Sequence, residues 1–267
     1  MEIRFFTGGY CRQLLAMADR RTWRIGEFQA VFLAVAHPRL GWVLIDTGYG
    51  TSFAAATRGW PRCLYRWVTP VVSRDPTAEI LRAHGIAPAD IRHIVLTHFH
   101  ADHIGGTREF PHATFHHATE ALAPLLALSP FAQTRHAFLP AQLPDDFAAR
   151  ANPISLAQFR PDPVTGFPRH DLFGDGSLTL LHLPGHAPGH LGVRLTDAHG
   201  PLLYAADAFW HHRQIDEKIC PLLPARIAIH DNRAYDATVA RLRELRRAGT
   251  CRILACHCPA TQALVSQ

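Results

Sequence analysis

The chain has 267 residues, of which 48% are hydrophobic and 18% are charged, and it carries a formal net charge of +5 at pH 7. This composition suits a compact globular protein with a sizeable core, and the sequence has no apolar run of about 18 residues that would predict a membrane span. All basic residues except Lys218 are arginines, and they are spread along the chain rather than clustered. We therefore expect neither nucleic-acid binding nor membrane insertion.

The beginning of the chain and the cysteines both favour a reducing compartment. Residues 1–6 do not resemble a secretory signal, so we expect a cytoplasmic protein. The six cysteines suggest no disulfide framework and are predicted to be free thiols. Cys256 and Cys258 flank a histidine, but their spacing is not C-x-x-C, so we interpret them as buried thiols.

Hydrophobic patterning and turn residues predict strands and helices that alternate along the chain. Asp75-Pro76 and Gly85 bound the first predicted helix. The predicted strands are 28–35, 43–45, 91–96, 113–115, 171–173, 177–183, 191–195, 202–206 and 252–255. The predicted helices are 76–84, 119–128 and 235–248.

One long segment has no such pattern. Residues 129–170 contain seven prolines and no sustained periodicity. A long irregular stretch in a compact domain is more often a lid or a binding loop than a linker. We therefore predict a single domain spanning residues 1–267, with an irregular insertion or lid at about 129–170. The recurring order of strand and helix favours sheets packed together with helices outside.

The 19 histidines are unusually many, and several of them stand together directly after a predicted strand. His98 and His100 are two residues apart, so an extended segment would point both imidazoles to the same side. Asp102 and His103 follow where the chain must turn. Such nitrogen and oxygen ligands suit one or two borderline divalent cations such as zinc. A histidine-rich surface loop is the alternative.

A metal site needs further ligands from elsewhere in the chain. The segment 183–190 ends a predicted strand with glycines, prolines and two histidines. Asp207 and His257 each follow a later predicted strand in the same way. We expect these strand ends to meet at one edge of the sheets.

Together these motifs resemble the signature of the metallo-β-lactamase superfamily. Residues 97–103 read H-x-H-x-D-H after the initial threonine, and the supporting motifs follow the order of that family. They are Ile45-Asp46-Thr47-Gly48 before the cluster, and Pro184-Gly185-His186, Asp207 and His257 after it. The resemblance covers residues 28 to 258 and implies an α+β fold, a four-layer αββα sandwich of two mixed β-sheets flanked by helices.

Carried over by position, the resemblance also implies a dinuclear metal site. One ion would be held by His98, His100 and His186, the second by Asp102, His103 and His257, and Asp207 would bridge the two. Asp46 looks like the carboxylate that orients a ligand histidine. We expect two divalent ions, zinc in the first place, with Mn²⁺ or Fe²⁺ as alternatives.

Several other histidines have simpler interpretations. His190 is interpreted as a polar partner near the ligands, although the motif alone leaves it a rival to His186. The pairs 116–117 and 211–212 are typical of surface positions. We nevertheless keep His211 as a candidate for substrate binding.

The implied activity is hydrolysis by a metal-bridged hydroxide, with Asp102 and Asp207 as the catalytic carboxylates. A carboxylic ester or lactone fits best, including an acyl-homoserine-lactone-like small molecule. Lactonases of this type usually place a tyrosine three residues beyond the bridging aspartate. Here that residue is Trp210, whose indole N–H can donate a hydrogen bond but cannot exchange a proton. Phe99 and Trp210 are candidate pocket residues, with core packing as the alternative.

Other activities remain open at this stage. A phosphodiesterase or a thioesterase could use the same dinuclear site, although only ten residues follow His257, which disfavours the glutathione thioesterases. A mononuclear iron enzyme resembling sulfur dioxygenases is the redox alternative. The sequence leaves the formation of a homodimer open.

Overall fold

The computed structural model describes residues 1–265. In this range the strands are β1 (Ile3–Leu14), β2 (Ile25–His37), β3 (Gly41–Ile45), β4 (Val71–Val72), β5 (His93–Val95), β6 (Thr114–Ala118), β7 (Ala151–Ile154), β8 (Arg160–Pro161), β9 (Pro168–Asp171), β10 (Thr179–His182), β11 (Leu191–Asp197), β12 (Gly200–Tyr204) and β13 (Arg252–Leu254). The α-helices are α1 (Phe53–Ala56), α2 (Cys63–Val68), α3 (Thr77–Ala83), α4 (Ala101–Ile104), α5 (Thr119–Leu126), α6 (Pro130–Arg135), α7 (Phe147–Arg150), α8 (Arg213–Asp216), α9 (Leu223–Ile227), α10 (Asn232–Ala248) and α11 (Pro259–Gln262).

The strands form two mixed sheets. The first has the order β4-β1-β2-β3-β5-β6-β7, antiparallel up to β3 and parallel from β3 to β7. The second has the order β13-β12-β11-β10-β9-β8, and only the β12–β13 pair is parallel within the described chain. In each sheet, parallel strands therefore bring the ends of successive segments to one edge.

The main hydrophobic core lies between the two sheets. It joins side chains of the first sheet, such as Phe32 and Ile94, to those of the second, such as Leu180 and Val193. The middle of β2 is buried on both of its faces, as expected for a central strand that is covered on both sides.

Helices cover the outer faces of the sheets. Leu242 of α10 packs with Leu203 and Ile253 of the second sheet, and α3 contacts β1 of the first sheet. Asp231 caps the start of α10 by accepting from the backbone N–H groups of residues 233 and 234, and Gly249 ends it in a left-handed conformation. The predicted sandwich of two mixed sheets flanked by helices is confirmed.

Several short elements, among them α2, were not predicted, and the predicted secondary structure differs most from the structure in two places. No strand was predicted before residue 28, yet β1 is a twelve-residue strand that pairs with β2 along most of its length. The segment 129–170 is not irregular, because it forms α6 and α7 and then supplies edge strands to both sheets. Its short strands have too few residues to show a period of their own. In residues 1–265 no helix combines the length and the apolar character needed to cross a membrane.

Candidate metal centre

Five strand ends meet at one edge of the two sheets. Asp46 follows β3 and His98 follows β5 in the first sheet, whereas His186, Asp207 and His257 follow β10, β12 and β13 in the second. All five side chains are buried. Residues that are up to 211 positions apart in the sequence, from Asp46 to His257, therefore surround one small volume.

The first group of side chains is built around three imidazoles. His186 Nε2 lies 3.2 Å from His98 Nε2 and 3.1 Å from His100 Nδ1, and 3.4 Å from Asp207 Oδ2. One potential ligand atom from each of these four residues lies within 4.8 Å of the other three. The structure thus brings together the three histidines that the sequence assigned to the first ion.

The second group shares Asp207 with the first. His257 Nε2 lies 3.2 Å from Asp207 Oδ2 and 3.2 Å from Asp102 Oδ2. His103 Nε2 lies 3.5 Å from Asp207 Oδ1 and 3.6 Å from Asp102 Oδ2. Asp207 therefore faces both groups, which is the position that a bridging carboxylate requires.

Cys256 is also close to the second group. Its thiol, however, lies 3.4 Å from the carbonyl oxygen of Val31 and 3.8 Å from that of Gln29, so it donates towards the backbone of β2. Cys256 and Cys258 are both buried, as predicted. The carboxylate of Asp102 is therefore the better candidate ligand beside His103 and His257.

Hydrogen bonds on the far side of the rings fix which nitrogen points into the centre. His103 Nδ1 donates to Asp46 Oδ2 at 2.7 Å, and His257 Nδ1 donates to the carbonyl oxygen of Gln29 at 2.8 Å. Because Nδ1 donates in both rings, Nε2 is the nitrogen of His103 and of His257 that faces the carboxylates.

Asp46 accepts hydrogen bonds from Thr97 as well as from His103. Its Oδ1 accepts the backbone N–H of Thr97 and its Oδ2 accepts the Thr97 hydroxyl, both at 2.8 Å. Thr97 Oγ1 in turn lies 3.1 Å from His98 Nδ1. Asp46 has a φ of 62°, a left-handed conformation that is uncommon outside glycine. One buried carboxylate thereby positions the candidate ligands His98 and His103.

Asp207 is held by two neighbours. Its backbone N–H donates to His190 Nε2 at 3.3 Å, and His190 Nδ1 donates to the carbonyl oxygen of Leu183 at 3.1 Å. Trp210 Nε1 donates to Asp207 Oδ2 at 3.2 Å. His190 is thus hydrogen-bonded to the backbone of Asp207 and lies outside both groups of candidate ligands in the described chain.

The charges of the two groups differ. Burial lowers the pKa of His98 and His186 well below the usual value and that of His100 to about 4, so these rings are neutral at pH 7. Burial opposes ionisation of Asp207, but His257 and His103 hold its pKa well below the usual value. The first group thus offers neutral imidazole nitrogens and an ionised carboxylate, which are the ligand forms that divalent metals bind. In the second group burial favours the neutral rings, but Asp46 beside His103 and Asp207 beside His257 hold the pKa of both histidines well above the usual value, so a bound ion would displace a proton from each ring.

The spacing of these atoms also fits metal ions. Nitrogens that share a tetrahedral zinc ion are about 3.3 Å apart, because Zn–N distances are about 2.0 Å. The imidazole nitrogens of the first group lie 3.1 and 3.2 Å apart. Among residues 1–265, His103 Nε2 and Asp207 Oδ1 are buried and lack a hydrogen-bond partner. Buried polar atoms without partners are rare, and here a divalent ion would satisfy them.

Glycines let two backbone segments approach closely beneath the centre. Gly105 donates to the carbonyl oxygen of Gly48 at 2.9 Å, and Thr47 donates to that of His103 at 2.9 Å. A Cβ on Gly105 would lie 1.8 Å from the carbonyl oxygen of Tyr49, so no other residue fits there without moving the backbone. This crossing holds the Asp46 segment against α4.

A cavity of 430 Å³ opens above the candidate ligands. His100, Asp102, His186, Asp207 and His257 form its floor. The walls are largely apolar and come from β1 and the turn that follows it, from β2, α2, α6 and α9, and from Trp210; they include Met17, Phe28, Leu64, Val68, Phe131 and Ala225. Of the predicted lid, only the α6 region contributes to this cavity.

Two of the three predicted substrate-binding residues do not line the cavity. Phe99 is buried in the core, where it packs against Phe138 and Phe147 with ring centroids 6.2 and 6.0 Å apart. His211 lines a neighbouring cavity of 190 Å³ on the other side of Trp210. Phe99 is directed away from the metal centre because alternation along the extended segment turns it to the opposite side from His98 and His100. Trp210 lines the main cavity, as predicted.

The interpretation of residues 116–117 as a surface pair is also wrong. Both histidines lie on β6, which is hydrogen-bonded between β5 and β7 in the first sheet, and both are buried. His116 Nε2 lies 3.0 Å from His93 Nδ1, and the His117 ring packs against Phe99 and Phe147.

Polar residues of the cavity wall, among them Cys11, Tyr49 and Tyr65, were not predicted from the sequence. Cys11 lies on β1, Tyr49 follows the Asp46 motif, and Tyr65 lies on α2. The short distance from Tyr49 to that motif was the only available signal. Cys11 and Tyr65 reach the site through elements that the sequence pattern did not predict.

Comparisons with known proteins agree with this fold. The sequence profile of the metallo-β-lactamase superfamily matches residues 26–257. The chain is 33% identical over 208 residues to an N-acyl homoserine lactonase, AttM, of Azorhizobium caulinodans, with 73% of this chain and 70% of the relative covered. It is also 33% identical over 183 residues to a probable metallo-hydrolase of Mycobacterium tuberculosis, with 66% and 56% covered.

Solved structures show the same architecture. A mutant of AiiA from B. thuringiensis with N-decanoyl-L-homoserine at its active site matches with a TM-score of 0.74 and 17% identity, covering 99% of this chain and 96% of that chain. A dizinc quorum-quenching lactonase, AidC, matches with a TM-score of 0.68 and 16% identity, covering 96% and 87%.

Proposed function

The chain belongs to the metallo-β-lactamase superfamily, and on this premise we propose that it is a metal-dependent hydrolase that cleaves a carboxylic ester or lactone. The observation that carries the proposal is the convergence around Asp207 of three histidines in the first group and of one aspartate and two histidines in the second. The proposed ligands are His98, His100 and His186 for one ion, Asp102, His103 and His257 for the other, and Asp207 for both. Zinc is the first candidate for both ions.

The mechanism uses the geometry of the carboxylates. When bound, two divalent ions supply a water molecule of lowered pKa and positive charge beside the reacting carbonyl group. Asp102 borders the cavity, so its carboxylate can receive the proton that the attacking water loses. Asp46 and His190 act through other residues: Asp46 holds the rings of His98 and His103, and His190 holds the backbone of Asp207.

The cavity supports a substrate with an apolar part. Its floor is polar and its walls are apolar, so a molecule would place its ester or lactone group on the floor and an alkyl or aryl part against Phe28 and Leu64. The AttM relatives are N-acyl homoserine lactonases, which supports an N-acyl lactone as the first substrate to test.

The test is a comparison of substrates on purified protein loaded with zinc or manganese. We expect ring opening of an N-acyl homoserine lactone and hydrolysis of p-nitrophenyl esters, measured by proton release and by absorbance. Hydrolysis of bis-p-nitrophenyl phosphate at a higher kcat/KM would make the chain a phosphodiesterase instead. Oxygen consumption with one iron per chain would point to a redox enzyme.

His98→Ala tests the ligand assignment. Losing a ligand of one ion removes several kcal/mol of transition-state stabilisation, so kcat/KM should fall by at least about 100-fold. Metal analysis should show the loss of about one ion per chain. His112→Ala is the matched control, because His112 is exposed and is not a member of either group of candidate ligands. Equal activity of the two variants would refute the assignment.

A further inference from the structure

Cleavage of an ester or lactone of an aliphatic alcohol leaves an alkoxide, which must gain a proton to depart readily. Trp210 lines the cavity three residues after Asp207, but it cannot supply this proton. Its indole N–H does not exchange as an acid, and it already donates to Asp207 Oδ2 at 3.2 Å. The donor must therefore come from another part of the cavity wall.

The tyrosines can be separated by their hydrogen bonds. Of the five tyrosines, Tyr204 donates its hydroxyl to the carbonyl oxygen of Val31 at 2.8 Å, and Tyr235 donates to Gln214 Oε1 at 3.0 Å. Tyr10 lines a separate cavity. Only Tyr49 and Tyr65, among the described residues, are tyrosines that border the cavity above the metal centre.

These two phenols differ in their exposure to the cavity. Tyr49 is 2% exposed, whereas Tyr65 is 8% exposed and lies on α2 with Leu64 and Val68, which also line the cavity. Burial, and after it the carboxylate of Asp102, raises the pKa of Tyr65 well above its usual value, so its hydroxyl keeps its proton at neutral pH.

The ring of Tyr65 is held in place. It lies edge-on against Phe53 with ring centroids 5.4 Å apart, and Phe53 lies edge-on against Tyr49 at the same distance. Its backbone lies within α2, and the residue lines the cavity whose floor is formed by the candidate ligands. A fixed ring in this wall suits an acid that acts on a bound substrate.

We propose that Tyr65 is a catalytic residue that donates a proton to the leaving oxygen of the substrate. This inference rests on the proposed hydrolase function. The water O–H bond breaks and its proton goes to the Asp102 carboxylate, while the water oxygen forms a bond to the carbonyl carbon. The bond from that carbon to the leaving oxygen then breaks, and the electron pair stays on the oxygen. The leaving oxygen takes the Tyr65 proton, and the phenolate regains the proton held by Asp102.

Tyr65→Phe tests the role through its dependence on the leaving group. For an aliphatic lactone or an alkyl ester, kcat should fall by about 100-fold or more, the usual contribution of a general acid. For a p-nitrophenyl ester of the same acid, kcat should change by less than about threefold, because p-nitrophenolate departs without a proton. Metal content and the circular dichroism spectrum should match those of the unmodified protein.

Two further variants complete the experiment. Tyr10→Phe removes a hydroxyl outside the cavity and should leave both reactions unchanged. Tyr49→Phe should not reproduce the selective loss on alkyl substrates; if it does and Tyr65→Phe does not, Tyr65 is not the donor. An equal loss on both substrate classes in Tyr65→Phe would also overturn the proposal while leaving the hydrolase function intact. Absence of both reactions in the unmodified, metal-loaded protein would instead refute the proposed function.

Discussion

At the scale of single residues, Glu109 is a carboxylate whose surroundings oppose its ionisation. Its Oε2 accepts the backbone N–H of Ala78 at 2.7 Å in the first turn of α3. Burial nevertheless raises the pKa of Glu109 from 4.5 to about 7. Its contribution to the free energy of unfolding is therefore fully present below about pH 4.5, where both states are protonated, and is lost as the pH rises through about 7.

The loss of stability with rising pH can be tested with Glu109→Gln, which keeps an acceptor for the backbone N–H of Ala78 but cannot ionise. The difference in free energy of unfolding between the variant and the unmodified protein should be about 1 kcal/mol more favourable to the variant at pH 8 than at pH 5. This figure allows for solvent screening of a half-buried group. Urea denaturation at the two pH values measures the difference. Glu244→Gln, at an exposed position of α10, is the control. A gain that did not change with pH would contradict the raised pKa.

At the scale of secondary-structure elements, the start of α10 is tied to the loop that carries His186. Asp231 Oδ1 accepts the backbone N–H groups of Arg233 and Ala234 at 2.9 and 3.0 Å. The backbone N–H of Asp231 donates to the carbonyl oxygen of Gly185, and that of His230 donates to the carbonyl oxygen of His186. The residues at the start of α10 are therefore hydrogen-bonded to the backbone of the loop that carries the candidate ligand His186.

Asp231→Ala should lower the free energy of unfolding by about 1 kcal/mol, because two N–H groups at the helix start lose their acceptor. Asp231→Asn retains an acceptor oxygen and should lose only a few tenths of that amount. Chemical denaturation of the metal-loaded protein measures both variants. Equal losses would mean that the negative charge of Asp231, rather than its hydrogen bonds, stabilises this end of α10.

The elements differ in how far the sequence could predict them. The strand ends that carry His98, Asp207 and His257 could be predicted. Each follows a run of apolar residues that is long enough to be recognised as a strand. Strand β1 could not, because Gly8-Gly9 and a shift in register between Thr7 and Tyr10 interrupt its alternation.

The cavity wall was the least predictable part of the site. Trp210 was found because it lies three residues from Asp207 in the sequence. Cys11 and Tyr65 come from β1 and α2 and meet the centre only through tertiary packing, which no local pattern records. Phe99 was misassigned because its neighbours in the sequence, His98 and His100, point the opposite way.

At the scale of the whole molecule, the proposed ligands come from both sheets. His98, His100, Asp102 and His103 follow a strand of the first sheet, and those after residue 180 follow strands of the second. Ions held by both sets would bind the folded state and not the unfolded chain. Metal binding should therefore stabilise the fold by mass action.

Removal of the metal should lower the melting temperature by roughly 10 °C, the shift expected when about 4 kcal/mol of binding free energy is lost in a chain of this size. Differential scanning calorimetry with and without a chelator measures it, and added zinc should restore the original value. His98→Ala, which lacks a ligand, should respond less to the chelator. An unchanged melting temperature after verified metal removal would contradict the role of the ions in joining the sheets.

The backbone crossing at Gly105 has a consequence for how this protein tolerates change. Gly105 would touch neither substrate nor ion, yet any side chain there would collide with the carbonyl oxygen of Tyr49. The collision would separate the segment of Asp46 from that of His103, whose 2.7 Å hydrogen bond orients a candidate ligand. In a saturation library, the positions that accept no replacement would therefore include one outside the active site. It lies where two main-chain segments touch and carries no functional side chain.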